Sequence, residues 1–258
     1  MKPKERQNNI LSLLKATRRE WNVKELELEL KVSALTIRRD LIELVNAGSI
    51  IRTHGGCIIS DNTQGNTFFH EQLELNVNLK SEIGKEAAKL ITNESTILLG
   101  DGTTTFQFAT FFNSSEPITI YTNSIHAIHE LKKHPNCRIY VLGGQYDSEY
   151  DMLLLKGSLS DRIVEMYNFD IVILGADAIS SDGSCMLRTE EAARTYQIIL
   201  QRGKQKILLA DHTKLDARGS VSFGKLSDFD LWITTKGITK KQMNIFKKQV
   251  KIKETKSI

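Results

Sequence analysis

Cysteine is scarce and scattered in this chain. There are three, Cys57, Cys137 and Cys185, with no Cys-x-x-Cys pair and no Cys/His cluster. That spacing argues against a disulfide framework and against a zinc site, and neither a metal nor a cofactor is expected. No apolar run approaches the roughly 20 residues that a membrane-spanning helix needs. The opening Met1-Lys2-Pro3-Lys4-Glu5-Arg6 leads into an amphipathic segment without the apolar core of a signal peptide, so a cytoplasmic protein is expected. Net charge is lacking over most of the chain as well. Residues 61–258 hold 24 Lys and Arg against 24 Asp and Glu, whereas residues 1–60 hold 11 against 7. The whole formal surplus of +4 therefore lies at the N-terminal end, where a polyanion-binding module would need it. A further basic cluster, Lys247-Lys248-Gln249-Val250-Lys251-Ile252-Lys253, is read as a solvated helix end and tail rather than a second nucleic-acid site.

The 258 residues, 40% hydrophobic and 26% charged, suit two globular domains. The expected fold is a small α+β winged helix-turn-helix head over 1–60, a linker over 61–69, and an α/β domain with a mostly parallel sheet over 70–258. The head rests on three helical patterns. Ile10, Leu13 and Leu14 recur at helical spacing. Asn22 with Glu25 three residues on forms a capping box ahead of Val23, Leu26 and Leu30. Ser33 is an N-cap for Ile37, Leu41, Leu44 and Val45, with Gly48 placed to end that helix. Only Lys31-Val32-Ser33 separate the second and third helices, which forces the sharp angle of a helix-turn-helix.

The stripe of the third helix leaves Thr36, Arg38, Arg39, Asp40 and Glu43 outside the core. Ser33, Thr36, Arg38 and Arg39 are candidate DNA contacts, since an arginine takes guanine bidentately or grips phosphate. Asp40 would be repelled by phosphate and is expected to orient a neighbouring arginine. The β-rich runs Ser49–Arg52 and Cys57–Ile59 flank Thr53-His54-Gly55-Gly56, which is hairpin-turn chemistry. This hairpin is read as a wing, with Arg52 and His54 near the backbone or minor groove; His54 has turn capping as its alternative.

Beyond the linker, a helical stretch from about His70 to Ile91 carries Ile83, Ala87, Leu90 and Ile91 on one face. Apolar runs then alternate with polar loops and helices: Thr96–Leu99, Ile118–Tyr121, Ile139–Leu142, Ile171–Leu174, Ile207–Ala210 and Leu231–Ile233. Such runs predict a parallel sheet covered on both faces, which binds ligands at the carboxyl ends of its strands. Gly102 with Thr103, Thr104 and Thr105 offers an anion cradle at a helix start. Thr122, Asn123 and Ser124 offer a second. Gly143 and Gly144 end a third strand. Lys214 is a point charge for a phosphate, and Asp101, Asp177 and Glu190 are acceptors for sugar hydroxyls. Each also has a plain structural reading as a cap, turn or surface residue; five strand ends of the same chemistry favour a shared pocket.

Two sets of residues carry a resemblance. Ser33-Ala34-Leu35-Thr36-Ile37-Arg38-Arg39-Asp40-Leu41 followed by Gly48-x-Ile50-x-Arg52-x-His54-Gly55-Gly56 resembles the head of DeoR-type bacterial transcription regulators. Asp101-Gly102-x-Thr104-Thr105, Thr122-Asn123, Gly143-Gly144, Gly175-Ala176-Asp177, Glu190-Glu191-Ala192 and Leu209-Ala210-Asp211-His212-x-Lys214 resemble the sensor half of the same family, which is similar in fold to sugar-phosphate isomerases. The resemblance covers nearly the whole chain. It implies an operator-binding head and a phosphorylated sugar or similar metabolite as effector. Ser184-Cys185, Thr234-Thr235-Lys236 and Gln72 depart from the family pattern, and they bear on which effector is taken.

The expected function is a DNA-binding regulator, a repressor of sugar-metabolism genes, acting as a homo-oligomer on double-stranded operator DNA, with no membrane partner and no catalytic residue. Two alternatives stand beside it. One is an isomerase-like enzyme using Asp101, Glu190 and Lys214 as acid–base groups. The other is a constitutive DNA-binding protein with a vestigial sensor.

Overall fold

The computed structural model describes residues 2–256 except 18, 47, 48, 54, 60–62, 92–94, 148–151, 155–157, 216 and 218. The chain divides into two compact units, residues 1–68 and 69–258.

The first unit contains α1 (Pro3–Thr17), β1 (Trp21–Asn22), α2 (Val23–Leu30), α3 (Ala34–Asn46), β2 (Ile50–Arg52) and β3 (Gly56–Ile59). Its core is the meeting of the predicted stripes: Ile10, Leu14, Leu26, Ile37, Leu41 and Leu44, closed by Trp21, Ile50 and Cys57. Each large side chain buried there contributes about 1.5–3 kcal/mol. Burial pushes the Cys57 thiol up to about 11, so it packs as a small apolar group. The capping box forms as expected, with Glu25 N donating to Asn22 Oδ1 at 2.9 Å and Asn22 N to Glu25 Oε2 at 2.8 Å. Helix α2 ends because Lys31 turns into the left-handed region at φ 53. Strands β2 and β3 pair antiparallel, Arg52 opposite Cys57, and Thr53 N bonds Gly56 O at 3.1 Å to close the hairpin. Strand β1 adds to the far side of β3, in the order β1-β3-β2. Gly56 is required there, because a Cβ would lie 2.0 Å from the Trp21 carbonyl oxygen. Gly48, expected to stop α3, lies outside the described residues.

The segment expected to be an irregular linker, 61–69, holds the first turns of α4 (Thr63–Glu74); residues 61 and 62 lie outside the described residues. The helical stretch that follows is broken at Asn76, whose φ is 57, and resumes as α5 (Val77–Ala88). Then come β4 (Ser95–Leu99), α6 (Thr103–Phe111), β5 (Ile118–Thr122), α7 (Ile125–Leu131), β6 (Cys137–Val141), the hairpin β7 (Gln145–Asp147) and β8 (Met152–Leu154), and α8 (Ser158–Glu165). The chain continues through β9 (Phe169–Gly175), β10 (Ala178–Ile179), β11 (Ser184–Leu187), α9 (Glu190–Leu200), β12 (Gly203–Leu209), β13 (Val221–Lys225), β14 (Leu231–Thr234), α10 (Lys240–Phe246) and β15 (Lys251–Glu254).

Seven strands form one sheet in the order β15-β14-β12-β9-β4-β5-β6, and every pairing in it is parallel. Alternate strand residues feed two cores. Leu98, Val172, Leu174, Leu208 and Trp232 pack with α8, α9 and α10 on one face. Ile97, Leu99, Ile173, Ile207 and Leu209 pack with α5, α6 and α7 on the other. Burial on both faces explains the continuous apolar runs. From β4 the chain winds one way to β6 and then returns to place β9 on the other side of β4. The β4/β9 boundary is thus the topological switch point, where sheets of this kind open a crevice at their carboxyl ends.

Two features depart from expectation. The basic tail is a solvated helix end only at Lys247 and Lys248, which are exposed where α10 stops; Lys251–Glu254 forms edge strand β15 against β14. Its lysines suit an edge, where charge discourages further pairing, and Lys253 Nζ pairs with Glu86 at 2.9 Å. Strands β10, β11 and β13 also form a separate antiparallel sheet that no alternating pattern announced.

Candidate DNA interface and effector site

In the first unit, Ser33 Oγ lies 3.0 Å from Thr36 Oγ1 and accepts a longer bond from Thr36 N at 3.4 Å. Ala34 N donates to Glu27 Oε1 at 3.1 Å. The start of α3 is therefore held from both α2 and its own cap. Arg38 and Arg39 are exposed on the following turn, and neither has an ion pair or hydrogen bond among the described residues. Arg52 is exposed on β2 of the wing. His54 lies outside the described residues.

Asp40 does not orient its neighbours on α3, as the sequence reading expected. It is 3% exposed and takes a two-pronged contact from Arg6 of α1, Nε to Oδ2 at 2.5 Å and NH2 to Oδ1 at 3.0 Å. The hydrogen bond to Asp40 raises the Arg6 pKa further, against the opposing effect of burial. Gln7 reaches past it to Glu43 Oε2 at 2.5 Å. Helix α1 thus engages both acids of α3 and leaves its two arginines outward. No short-range pattern links positions 34 residues apart, which is why this pair escaped the sequence reading.

In the second unit the candidates fall at successive strand ends: Asp211 to Lys214 after β12, Asp177 after β9, Asp101 to Thr105 after β4, Thr122 to Ser124 at β5, and Gly143-Gly144 after β6. Strands lie about 4.8 Å apart, so β12 and β6 are separated by about 19 Å. The exposed Gly143 and Gly144 are therefore farthest from Lys214, and one compact ligand does not touch both. The switch point makes β9, β4 and β5 the centre.

At that centre Gly102, the N-cap of α6, has φ 136 and brings no capping side chain of its own. The Thr105 hydroxyl donates to the Gly102 carbonyl at 2.9 Å, and the amides of the first turn have no intrahelical partner. Thr104 and Thr105 are buried, while Thr103 is half-buried. The Asp101 carbonyl accepts the Tyr196 hydroxyl at 3.0 Å. Burial raises the pKa of that phenol, so Tyr196 remains a neutral donor. Gly100 permits the approach, since a Cβ there would lie 2.6 Å from the Tyr196 hydroxyl.

The neighbouring cradle is more occupied. The Thr122 hydroxyl accepts Ser124 N at 3.0 Å, Ser124 Oγ accepts Ala127 N at 3.3 Å as cap of α7, and Asn123 Nδ2 donates to the Leu153 carbonyl at 2.9 Å. Asp177 accepts Arg188 N at 3.1 Å. Glu190 is exposed at the start of α9, and Lys214 is half-buried.

Sequence reasoning passed over Lys80 and named Asp211 only within a motif. Lys80, on α5, is 3% exposed, and Asp211 is fully buried. Lys80 Nζ donates to the Gln72 carbonyl. Burial, with a smaller push from Lys214, lowers its pKa to about 8, while Asp211 acts the other way. Asp211 Oδ1 accepts Thr213 N at 2.9 Å, and Asp211 Oδ2 is buried with no partner among the described residues. The signal for Lys80 was present: it stands three residues before Ile83 and seven before Ala87, inside the apolar stripe. Among the described residues no group of His, Cys, Asp and Glu is placed to hold a metal, and no helix is long and apolar enough to cross a membrane.

Comparison with known proteins agrees with this anatomy. Residues 6–63 match the DeoR-like helix-turn-helix domain, and residues 75–236 match the DeoR C terminal sensor domain. The HTH-type transcriptional repressor GlcR of Bacillus subtilis is 33% identical over 80% of this chain and 78% of its own length. The glycerol-3-phosphate regulon repressor of Escherichia coli is 30% identical over 89% of this chain and 90% of its own. Among solved structures, a ribose 5-phosphate isomerase A from Methanocaldococcus jannaschii reaches TM-score 0.38 at 19% identity, covering 54% of this chain and 55% of that one; a likeness of that size carries no argument about chemistry. The two matched domains, in this order and over this much of the chain, make it a member of the DeoR family of transcriptional regulators.

Proposed function

We propose that the protein is a cytoplasmic transcriptional repressor of sugar-metabolism genes, whose hold on double-stranded operator DNA is released by a phosphorylated sugar or similar metabolite. The observation that carries the DNA half is the charge arrangement of α3. Its acid Asp40 is sequestered by Arg6, so Arg38 and Arg39 face outward unneutralised. A helix so arranged is attracted to a polyanion and still has donors for base edges. Ser33, Thr36 and the wing residues Arg52 and His54 complete the proposed interface. Two heads on one operator require a homo-oligomer, because paired half-sites mirror a two-fold axis. The proposed domain limits are 1–60 for the head, 61–69 for the joining segment and 70–258 for the sensor.

The sensor half rests on the glycine-capped start of α6 at the switch point, with Asp101, Gly102 and Thr103 to Thr105 as the proposed centre. Thr122 to Ser124, Gly143, Gly144, Asp177, Glu190 and Lys214 belong to the wider rim. A regulator needs binding and no turnover, so the protein is proposed not to be an enzyme. The test is fluorescence-anisotropy titration of DNA from the protein's own upstream region against unrelated DNA, at one fixed salt concentration, alongside an assay for phosphosugar isomerisation. Preferential binding without isomerisation is expected. Isomerisation at ordinary enzyme rates would overturn the non-enzyme reading, and indifference between the two DNAs would overturn the operator-binding one.

A further inference from the structure

Helix α3 is apolar on two sides, and only one of them is covered by the head. Ile37, Leu41 and Leu44 are buried in its core. Leu35 is 61% exposed and Ile42 is 55% exposed. At 3.6 residues per turn, seven residues bring a side chain round to within about 20° of where it began, so these two form one line. Leu35 stands about 160–180° round the axis from Ile37 and Leu44. Arg38 falls about 60° to one side of Leu35 and Arg39 about 40° to the other, and both are exposed. A lone exposed leucine needs no explanation. An apolar line at the centre of a face, with an arginine on each side, does.

In a helix-turn-helix the first residues of the second helix meet the base edges. At the start of α3, Thr36 is half-buried and its hydroxyl lies 3.0 Å from that of Ser33. Ala34 is half-buried, with its amide donating to Glu27. Ile37 is buried, which leaves Leu35 as the exposed side chain of the first turn. An apolar side chain makes no hydrogen bond to a base. The major groove offers it the C5 methyl of thymine, the apolar group on the base edges there. Self-association through this face is disfavoured. A two-fold axis on the Leu35–Ile42 line would bring Arg38 and Arg39 towards their own copies, and like charges repel. The phosphates of a duplex attract both.

We propose that Leu35 packs on the C5 methyl of a thymine in each operator half-site and so selects that base, while Arg38 and Arg39 hold the DNA on either side. The inference rests on the reading of α3 as the helix that enters the operator. It deepens that reading by naming a base and the group on it that is read. Ile42, about 10.5 Å further along the axis, is too far away to share the same methyl.

The test removes the methyl alone. The upstream DNA segment that the full chain protects from nuclease is synthesised with each thymine in turn replaced by uracil. Affinities are measured at one fixed salt concentration for wild type, Leu35→Ala, Leu35→Met and Ile42→Ala. Because Leu35 and Ile42 are exposed, these variants should fold. At one thymine per half-site, uracil should weaken wild-type binding by about threefold to fourfold, the worth of one buried methyl. Leu35→Ala should bind the thymine and uracil forms alike. Leu35→Met, still long and apolar, should keep the preference, and so should Ile42→Ala. A wild type indifferent to uracil at every position would overturn the proposal, and so would an undiminished preference in Leu35→Ala. If that indifference comes with an altered mass of DNA-free Leu35→Ala, the face is a contact between copies instead. Failure of the underlying reading looks different: Arg38→Ala, Arg39→Ala and Leu35→Ala would then all bind the segment as tightly as wild type. The absence of any protected segment would overturn both.

Discussion

The two units handle charge in opposite ways. In the head one acid is buried with its counter-charge and three other arginines stand outside: Asp40 is locked to Arg6, while Arg38, Arg39 and Arg52 are exposed. In the sensor the informative cation is inside, with Lys80 3% exposed beside a fully buried Asp211. The first arrangement suits a long polyanion met in water, where each contact is modest and screened by salt. The second suits one small anion drawn out of water, where few groups act strongly and salt matters less.

The largest effect should come from breaking the buried pair. Asp40→Ala removes the carboxylate hydrogen-bonded to the buried Arg6 guanidinium and leaves it only the weaker attraction of Glu43, at a cost of up to about 3–5 kcal/mol. Urea unfolding should show the head destabilised, and operator binding should be lost, while inorganic phosphate binding by the sensor stays intact. Loss of both activities together would break the division into separately organised halves.

A smaller effect is expected on the outer face. Arg38→Ala or Arg39→Ala should weaken operator binding by about 1–3 kcal/mol with little change in stability. An arginine that only grips phosphate should lower affinity for all sequences alike and make the salt slope shallower by about 0.9. An arginine that reads a base should instead relax sequence preference. Unchanged affinity in both variants would remove α3 from the interface.

How much of this was legible in the sequence follows from the range of each interaction. The Asn22–Glu25 capping box, the short turn at Lys31–Ser33 and the wing are local, and they form as read. The parallel strands β4, β5, β6, β9, β12 and β14 announced themselves as apolar runs. Strand β15 did not, because an edge strand carrying Lys251 and Lys253 halves its own hydrophobic signal. The Arg6–Asp40 pair joins two helices that meet only in the folded head. Lys80 was hidden for a different reason. A lysine in an apolar stripe reads as an interruption until the fold places Asp211 and Lys214 beside it. Of the candidate site, the Gly102–Thr105 cradle was visible from residue types, whereas the width of the sheet, which separates Gly143 from Lys214, came only with the strand order.

The smallest and most diagnostic effect concerns pH. Lys80 has its pKa lowered to about 8, from 10.5. The folded chain therefore gives up this proton as pH rises through about 8. Stability follows from the sign of that shift. The unfolded chain holds this proton more tightly than the folded one, so the sensor gains stability as pH climbs from the folded value toward the unfolded one. Burial sets the midpoint, with Lys214 lowering it further and Asp211 acting the other way. Thermal unfolding of wild type and Lys80→Met across this range reads the trend; a wild-type stability that falls between about pH 8 and pH 10, relative to Lys80→Met, would contradict it.

The most direct measurement is competition: the protein bound to fluorescent upstream DNA at fixed salt, titrated with a panel of phosphorylated sugars and their unphosphorylated parents. Linkage requires a true effector to bind the DNA-free form more tightly than the bound form. The account predicts release by at least one phosphorylated compound and none by its parent. Release by a parent sugar as readily as by its phosphate, or release by none of them, would contradict it.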